Sequence, residues 1–195
     1  MKSRVIGLTG GIAAGKSEAA HVLESLGAEV IDADQISRQV ANLPEIQDKL
    51  KTNWPETFIT GVLDRKQLGH IIFNSSEERE KLNKILHPVI IKEVLQAIKD
   101  SAKEVCIVVA PLLIEAGLHQ MVDEVWLIHA PVDIQTRRLM EREGISKEEA
   151  LRMIRSQLPA EEKLAHADRV FENTGSPEEL KEELEKEWEL LRTRI

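Results

Sequence analysis

An eight-residue segment near the amino terminus, Gly10-Gly11-Ile12-Ala13-Ala14-Gly15-Lys16-Ser17, constrains this chain more than any other feature. It fits the pattern G-x-x-x-x-G-K-[ST], in which a glycine-rich turn joins a buried strand to a helix. Glycine lets the backbone turn with its N–H groups pointing inward, where a β-carbon would obstruct them. At the positive end of the following helix, these groups form a nest for an anion. We call this segment the phosphate loop.

The phosphate loop predicts binding of ATP together with Mg²⁺. Lys16 is expected to reach the β- and γ-phosphates, and the Ser17 hydroxyl to ligate Mg²⁺. The residues expected to contact ATP are Gly10, Gly11, Ile12, Ala13, Ala14, Gly15, Lys16, Ser17 and the next residue, Glu18.

Short apolar segments alternate with helical patterns along the chain. Such alternation implies parallel crossovers and a sheet covered on both faces. The predicted fold is therefore α/β, a three-layer α/β/α arrangement with a mostly parallel five-stranded sheet. Its strands are predicted at residues 4–9, 29–32, 105–110, 124–129 and 169–172.

Two regions do not follow this alternation. Residues 35–103 contain no convincing strand and are predicted to be a helical insertion that binds an acceptor, with a helix boundary at His87-Pro88. Residues 137–166 are helical and rich in arginine, and they are predicted to form a lid. The nucleotide-binding core is then assigned to residues 1–34, 104–136 and 167–195.

The composition narrows the class of partner. A formal net charge of -8 and 3% aromatic residues disfavour a nucleic-acid binder, which needs positive charge and stacking rings. The single cysteine, Cys106, allows no disulfide within the chain, and no segment has the pattern of a signal peptide or membrane span. We therefore expect a cytoplasmic protein that acts on small molecules, as a monomer or weak homo-oligomer, without nucleic acid or membrane.

The other motifs favour a kinase among proteins with a phosphate loop. No Asp is followed three residues later by Gly, and Asn83-Lys84 is not followed by the Asp of a guanine-binding motif, so a GTPase is disfavoured. A motor ATPase usually ends an apolar strand in a metal-binding acid, but here the strand at 105–110 continues into Pro111-Leu112-Leu113. Both departures favour a kinase of small molecules.

The second predicted strand ends in Asp32-Ala33-Asp34. The carboxyl ends of parallel strands form the edge where ligands bind, beside the phosphate loop. A carboxylate there can accept the proton of an attacking hydroxyl. Either Asp fits the role of base; Asp34 is preferred, and Asp32 is then expected near Mg²⁺.

The predicted lid contains arginines suited to stabilising charge on the transferred phosphoryl group. A mobile lid would also exclude water from the reaction. The candidates are Arg137, Arg138, Arg142, Arg152 and Arg155.

In their order along the chain, these motifs resemble the dephospho-coenzyme A kinase family over essentially the whole sequence. The elements that carry the resemblance are Gly7-Leu8-Thr9-Gly10-Gly11-Ile12, Gly15-Lys16-Ser17, Asp32-Ala33-Asp34, Arg38, Leu63-Asp64-Arg65, Leu68, His87-Pro88, Pro111-Leu112-Leu113-Ile114-Glu115, Arg142, Gln157, Ala167-Asp168, and Asn173 with Gly175.

The resemblance implies transfer of the γ-phosphate of ATP to the ribose 3′-hydroxyl of dephospho-coenzyme A, the last step of coenzyme A biosynthesis. It implies that Asp34 is the base and that Lys16 and Arg142 stabilise the transition state. It also implies that Asn173 contacts adenine. The acceptor-binding residues are then expected to be Asp34, Arg38, His87, Leu113 and Glu115.

The phosphate loop departs from the family at Ala13-Ala14, which replaces the usual Gly-Ser. The residue after the loop, Glu18, stands where the family often has Thr. Two other functions fit the phosphate loop: a kinase of a nucleoside or nucleotide, and a nucleotide-sensing module without catalysis. A panel of acceptors separates the first from a kinase of dephospho-coenzyme A, and nucleotide binding without transfer to any acceptor would favour the second.

Overall fold

The computed structural model describes residues 3–195. The chain divides into two compact units, which are described separately below. The first unit comprises Met1–Asp32 and Ala97–Ile195, and the second comprises Ala33–Gln96. The assignment of residues 35–103 to acceptor binding and of residues 137–166 to a lid stays a prediction.

The secondary structure alternates between strands and helices in the first unit and is mainly helical in the second. The strands are β1 Arg4–Gly10, β2 Glu29–Asp32, β3 Phe58–Ile59, β4 Val62–Leu63, β5 Val105–Val109, β6 Glu124–His129 and β7 Arg169–Glu172. The helices are α1 Lys16–Ser25, α2 Ala33–Val40, α3 Pro44–Asn53, α4 Arg65–Asn74, α5 Ser76–Asp100, α6 Val132–Glu143, α7 Lys147–Arg155, α8 Ala160–Leu164 and α9 Pro177–Arg192.

A five-stranded parallel sheet forms the centre of the first unit, in the order β2-β5-β1-β6-β7. The chain passes from β1 to β2 and β5 on one side, then crosses to β6 and β7 on the other. The carboxyl end of β1 therefore lies at the point where the strand order reverses, which is where α/β sheets bind ligands. The predicted fold and all five strands are confirmed.

The central strands β1, β5 and β6 are buried on both faces of this sheet. On one face, alternate strand residues pack with α1 and α9 into a core that contains Ile6, Leu8, Ile107, Trp126 and Phe171. The intervening strand residues are buried on the opposite face: Val5, Cys106, Val108, Val125 and Leu127. Near-continuous apolar strands of this kind are typical of parallel sheets with helices on their faces.

The second unit has its own apolar core, centred on Val40, Ile46, Leu50, Trp54 and Leu68. The prediction of no strand in this region is wrong, because β3 and β4 form an antiparallel hairpin. Each strand has two residues, too few for an alternating pattern to be visible in the sequence. The turn uses Thr60 and Gly61, both at positive φ (50° and 85°), as short hairpin turns require.

The predicted helix boundary at His87-Pro88 is also wrong, because α5 runs unbroken from Ser76 to Asp100. Proline removes one backbone donor from a helix and disfavours the helical conformation of the residue before it. Here partly buried residues on both sides of Pro88, including Leu86 and Val89, pack onto the core of the second unit. This packing accounts for helix continuation against the local preference.

No helix within residues 3–195 combines the length and apolar character that crossing a membrane would require.

Candidate active site

The phosphate loop leaves the carboxyl end of the central strand β1 and enters α1 at Lys16. Gly15 has φ 106°, which side chains rarely tolerate, and a β-carbon there would lie 2.1 Å from Asn173 Nδ2. A β-carbon on Gly10 would lie 2.3 Å from the Ile128 carbonyl oxygen. Both glycines of the motif are therefore required by close approach of neighbouring groups.

Three side chains hold the backbone of the phosphate loop. Lys16 Nζ donates to the carbonyl oxygens of Gly10 (3.0 Å) and Gly11 (2.8 Å). Asn173 Nδ2 donates to the carbonyl oxygen of Ala14 at 2.8 Å. The Ile12 N–H donates to Gln157 Oε1 at 3.0 Å. The loop is thus fixed from within and from two later segments of the chain.

Ala13 occupies the left-handed region, with φ 56°. This conformation costs a non-glycine residue roughly 1–2 kcal/mol. At this position the family pattern described above commonly has glycine. The departure at Ala13 therefore carries a backbone cost, which the surrounding contacts of the loop offset.

Gln135, on α6, lies against the phosphate loop at Gly11. A β-carbon on Gly11 would lie 2.5 Å from Gln135 Oε1. The Gln135 side chain is buried, and its Nε2 donates to the Ala130 carbonyl oxygen at 2.6 Å. Oε1 has no hydrogen-bond partner among residues 3–195. Gln135 therefore fixes how close α6 comes to the loop.

The predicted magnesium residues lie in the first unit. Ser17 is exposed in the first turn of α1, and Asp32 is the exposed last residue of β2. In the described part of the chain, no three His, Cys, Asp or Glu side chains converge on a possible metal site. Mg²⁺ in kinases is usually held by one or two protein oxygens, substrate phosphates and water. A hydroxyl and a carboxylate of this kind fit that ion.

Three predicted acceptor residues belong to the second unit. Asp34 and Arg38 are exposed in the first and last turns of α2. His87 is half-buried within α5, and this burial lowers its pKa below 6.5. The imidazole is therefore mainly neutral at pH 7. Acceptor contacts by all three stay a prediction.

Two arginines of α6 differ in their surroundings. Arg142 is exposed, and its Nε donates to Glu143 Oε1 at 2.8 Å. Arg138 is half-buried and donates from Nη2 to Asn173 Oδ1 at 3.3 Å. The amide of Asn173 thus engages Arg138 on one side and Ala14 on the other. Its contact with adenine and the role of Arg142 in catalysis stay predictions.

The segment after β5 carries the other predicted acceptor residues. Leu113 is fully buried, and a β-carbon on Gly7 would lie 2.6 Å from its Cδ2, so its side chain belongs to the core. Glu115 Oε1 accepts a hydrogen bond from the Leu158 N–H at 3.2 Å and lies 3.1 Å from Lys163 Nζ. A contact of either residue with the acceptor remains a prediction.

Sequence reasoning missed Lys163 and gave Gln157 no role. Lys163 is 2% exposed, although it follows two glutamates in a short helix and nothing in the local pattern marks it as buried. Gln157 appeared only as one element of the family resemblance. The residues that Gln157 and Lys163 contact lie far from them in sequence, so only the tertiary structure reveals these contacts.

Comparison with known proteins identifies the family of this chain. The family model described as dephospho-CoA kinase matches residues 4–179. A dephospho-CoA kinase of Geobacter sulfurreducens is 43% identical over 191 residues, 94% of this chain and 96% of that protein. One from Carboxydothermus hydrogenoformans is 41% identical over 187 residues, 92% of this chain and 90% of that protein.

Solved structures show the same fold. The dephospho-CoA kinase of Campylobacter jejuni superposes with a TM-score of 0.72 at 29% identity, covering 98% of both chains. The shikimate kinase of Acinetobacter baumannii, at 19% identity and a TM-score of 0.57 over 98% of this chain and 94% of that one, shares the fold alone. With its family model spanning nearly the whole sequence and relatives above 40% identity over more than nine-tenths of it, this chain belongs to the dephospho-CoA kinase family.

Proposed function

We propose that this protein transfers the γ-phosphate of ATP to the ribose 3′-hydroxyl of dephospho-coenzyme A, giving coenzyme A and ADP. The observation that carries the proposal is the phosphate loop, whose backbone three side chains hold in place at the carboxyl end of β1. An anion nest fixed before the ligand arrives needs little reorganisation on binding.

ATP binds with its phosphates in the nest of backbone N–H groups at the start of α1. Lys16 Nζ already lies over the loop, on the Gly10 and Gly11 carbonyl oxygens. From there the ammonium group moves onto the β- and γ-phosphates. Ser17 and Asp32 would hold Mg²⁺, and the ion would supply positive charge that offsets the negative charge of the phosphates.

A carboxylate at the end of β2 orients the attacking hydroxyl and accepts its proton. Asp32 ends the strand, and Asp34 follows two residues later in the first turn of α2. We assign the base to Asp34 and leave Asp32 to the metal. General base catalysis of this kind contributes roughly 10²–10⁴-fold to the rate.

Arginines of α6 and α7 are candidates for stabilising the negative charge on the transferred phosphoryl group. We assign this role to Arg142, in the last turn of α6. Its present partner, Glu143, is its exposed neighbour, and exposed pairs of this kind are worth little energy. Arg142 is therefore available to a triphosphate at little cost.

Steady-state kinetics with ATP, Mg²⁺ and dephospho-coenzyme A test this function. The expected product is coenzyme A, and turnover of a nucleoside in preference to dephospho-coenzyme A would contradict the proposal. Lys16→Ala should abolish turnover with the fold retained, whereas Lys181→Ala on the exposed face of α9 should leave it unchanged.

The roles of the two aspartates are tested separately. Asp34→Asn should lower kcat by roughly 10²–10⁴-fold, with the Kd for ATP changed less than about threefold. Asp32→Asn should instead raise the Mg²⁺ concentration needed for half-maximal rate. The matched control is Asp48→Asn, at an exposed position of α3. If Asp32→Asn shows the larger loss of kcat at saturating Mg²⁺, the assignment of the base is reversed.

A further inference from the structure

Residues 157–163, which we call the strap, contact two separate loops of the first unit. At one end, Gln157 Oε1 accepts a hydrogen bond from the Ile12 N–H of the phosphate loop at 3.0 Å. At the other end, Lys163 Nζ donates to the Pro111 carbonyl oxygen at 2.9 Å and pairs with Glu115 Oε1 at 3.1 Å. We call residues 111–115 the β5 loop. The strap therefore links the phosphate loop to the β5 loop.

The hydrogen bond between the Ile12 N–H and Gln157 Oε1 connects the strap to the phosphate loop. A cavity of about 280 Å³ lies between the strap and this part of the protein, lined by Gly11, Gln135, Gln157 and Lys163 among others. Part of the space beside Gly11 and Gln157 is therefore not filled by side chains, and the hydrogen bond to Ile12 links the strap directly to the phosphate loop. A change at Ile12 therefore reaches the strap through Gln157.

On the side of the β5 loop, the connection is strong and buried. Lys163 is 2% exposed, and a buried ammonium group is stable only when its partners replace water. The Pro111 carbonyl and the Glu115 carboxylate do so. Hydrogen bonds between charged groups in such surroundings are about twice as strong as neutral ones. Lys163 therefore anchors the strap to the β5 loop.

The two connections meet at one peptide unit. Gln157 bonds the phosphate loop through its side chain, and the next residue, Leu158, donates its N–H to Glu115 Oε1 at 3.2 Å. A displacement of Ile12 that moves Gln157 therefore also moves the Leu158 N–H, which donates to Glu115. The path from the phosphate loop to the Glu115 carboxylate is therefore two residues long.

We propose that the strap transmits nucleotide occupancy of the phosphate loop to Glu115, with Gln157 and Lys163 as positioning residues that couple the donor and acceptor sites. This inference rests on the proposed function for the identity of the acceptor, but not for the transmission itself. When phosphates fill the nest, the Ile12 backbone is held in one place, and the strap holds Glu115 in the position that the acceptor meets.

Hydrogen exchange with a non-hydrolysable ATP analogue and Mg²⁺, without acceptor, tests the transmission. In the full-length protein, the analogue should slow exchange in peptides covering the β5 loop and Leu158 by about threefold or more, as expected when local opening is suppressed. Gln157→Leu should retain protection of the phosphate loop and lose that of the β5 loop. Gln157→Glu, which keeps an acceptor oxygen, should restore it. Equal protection of the β5 loop in Gln157→Leu would overturn the proposal.

Calorimetry then measures coupling between the two ligands. Dephospho-coenzyme A should bind more tightly in the presence of the analogue by about fivefold or more, the lower end of typical coupling between sites. Lys163→Met should bring this factor close to one, and Lys163→Arg should retain most of it. Lys181→Met on α9 is the control. Gln157→Leu repeats the measurement without a change in the core, in case Lys163→Met fails to fold.

The outcomes separate this inference from the proposed function. If the wild type makes coenzyme A but the β5 loop does not respond to the analogue, the role of the strap is refuted and the function stands. If the β5 loop responds through Gln157 but dephospho-coenzyme A is not phosphorylated, the strap is supported and the acceptor is wrong.

Discussion

Gly15→Ala tests whether the phosphate loop depends on the close approach of Asn173 or only on the backbone freedom of glycine. Gly15 and Gly27 have nearly the same φ, 106° and 109°. A β-carbon on Gly15 would meet Asn173 Nδ2 at 2.1 Å, whereas one on Gly27 would meet nothing within 4 Å. Gly27→Ala is therefore a matched control that carries the backbone strain without the overlap.

The expected difference follows from the contacts of Asn173. Alanine at positive φ costs roughly 1–2 kcal/mol in either variant. The gain from restricting the unfolded chain, roughly 0.4–1 kcal/mol, is also common to both. In Gly15→Ala, the buried amide of Asn173 must also leave the Ala14 carbonyl oxygen, which costs roughly 0.5–1.5 kcal/mol. Gly15→Ala should therefore be the less stable variant by at least about 0.5–1.5 kcal/mol.

Urea denaturation gives the free energies of unfolding, and calorimetry gives the Kd for ATP. Gly15→Ala should weaken ATP binding strongly, because the displaced amide and the altered backbone both belong to the loop, and Gly27→Ala should leave the Kd nearly unchanged. In an Asn173→Ala background, the cost of Gly15→Ala should fall to that of Gly27→Ala. Equal costs of the two glycine variants in the wild-type background would refute the reasoning.

Two further predictions concern stability. Ser176 Oγ accepts a hydrogen bond from the N–H of Glu179 and caps α9, so Ser176→Ala should lower the free energy of unfolding by about 1 kcal/mol in urea denaturation. Ser176→Asp keeps the cap and should leave the free energy of unfolding nearly unchanged. A similar loss of stability in both variants would contradict a capping role. Burial alone raises the pKa of Glu124, but hydrogen bonds from Arg4 and Trp126 and the charge of Arg194 outweigh it and hold the pKa below 4.5. The stability from this lowered pKa is present above pH 4.5 and lost as the pH falls through the pKa of the folded state. The free energy of unfolding should thus decline less steeply with acid in Glu124→Gln than in the wild type, and parallel declines would exclude this contribution.

The fold and the phosphate loop were predictable because their signals are local. A buried strand, a glycine turn and an amphipathic helix all lie between the start of β1 at Arg4 and the end of α1 at Ser25. The strands of the large sheet have four to seven residues with apolar centres, long enough to distinguish from the helices between them. The hairpin of β3 and β4 and the passage of α5 through Pro88 were not predictable in this way. The first has too few residues to form a pattern, and in the second tertiary packing overrides the local preference.

The contacts that hold the phosphate loop could not be predicted for a different reason. Gln157 is 145 residues from Ile12, and Asn173 is 159 residues from Ala14. Neither partner is adjacent to the motif, and the amide side chains carry no charge that would mark them. The buried position of Lys163 likewise depends on the β5 loop, 52 residues earlier at Pro111.

These long-range contacts have a consequence for how the nucleotide site forms. The motif supplies the N–H groups, but its conformation needs the end of β7, which positions Asn173, and the segment after α7, which positions Gln157. Both are late in the chain, so the site cannot be complete until the last strand has joined the sheet. A ligand that binds only the completed site stabilises every element needed to complete it. Nucleotide binding should therefore stabilise β7 and the segment after α7, which do not belong to the phosphate loop, as strongly as α1.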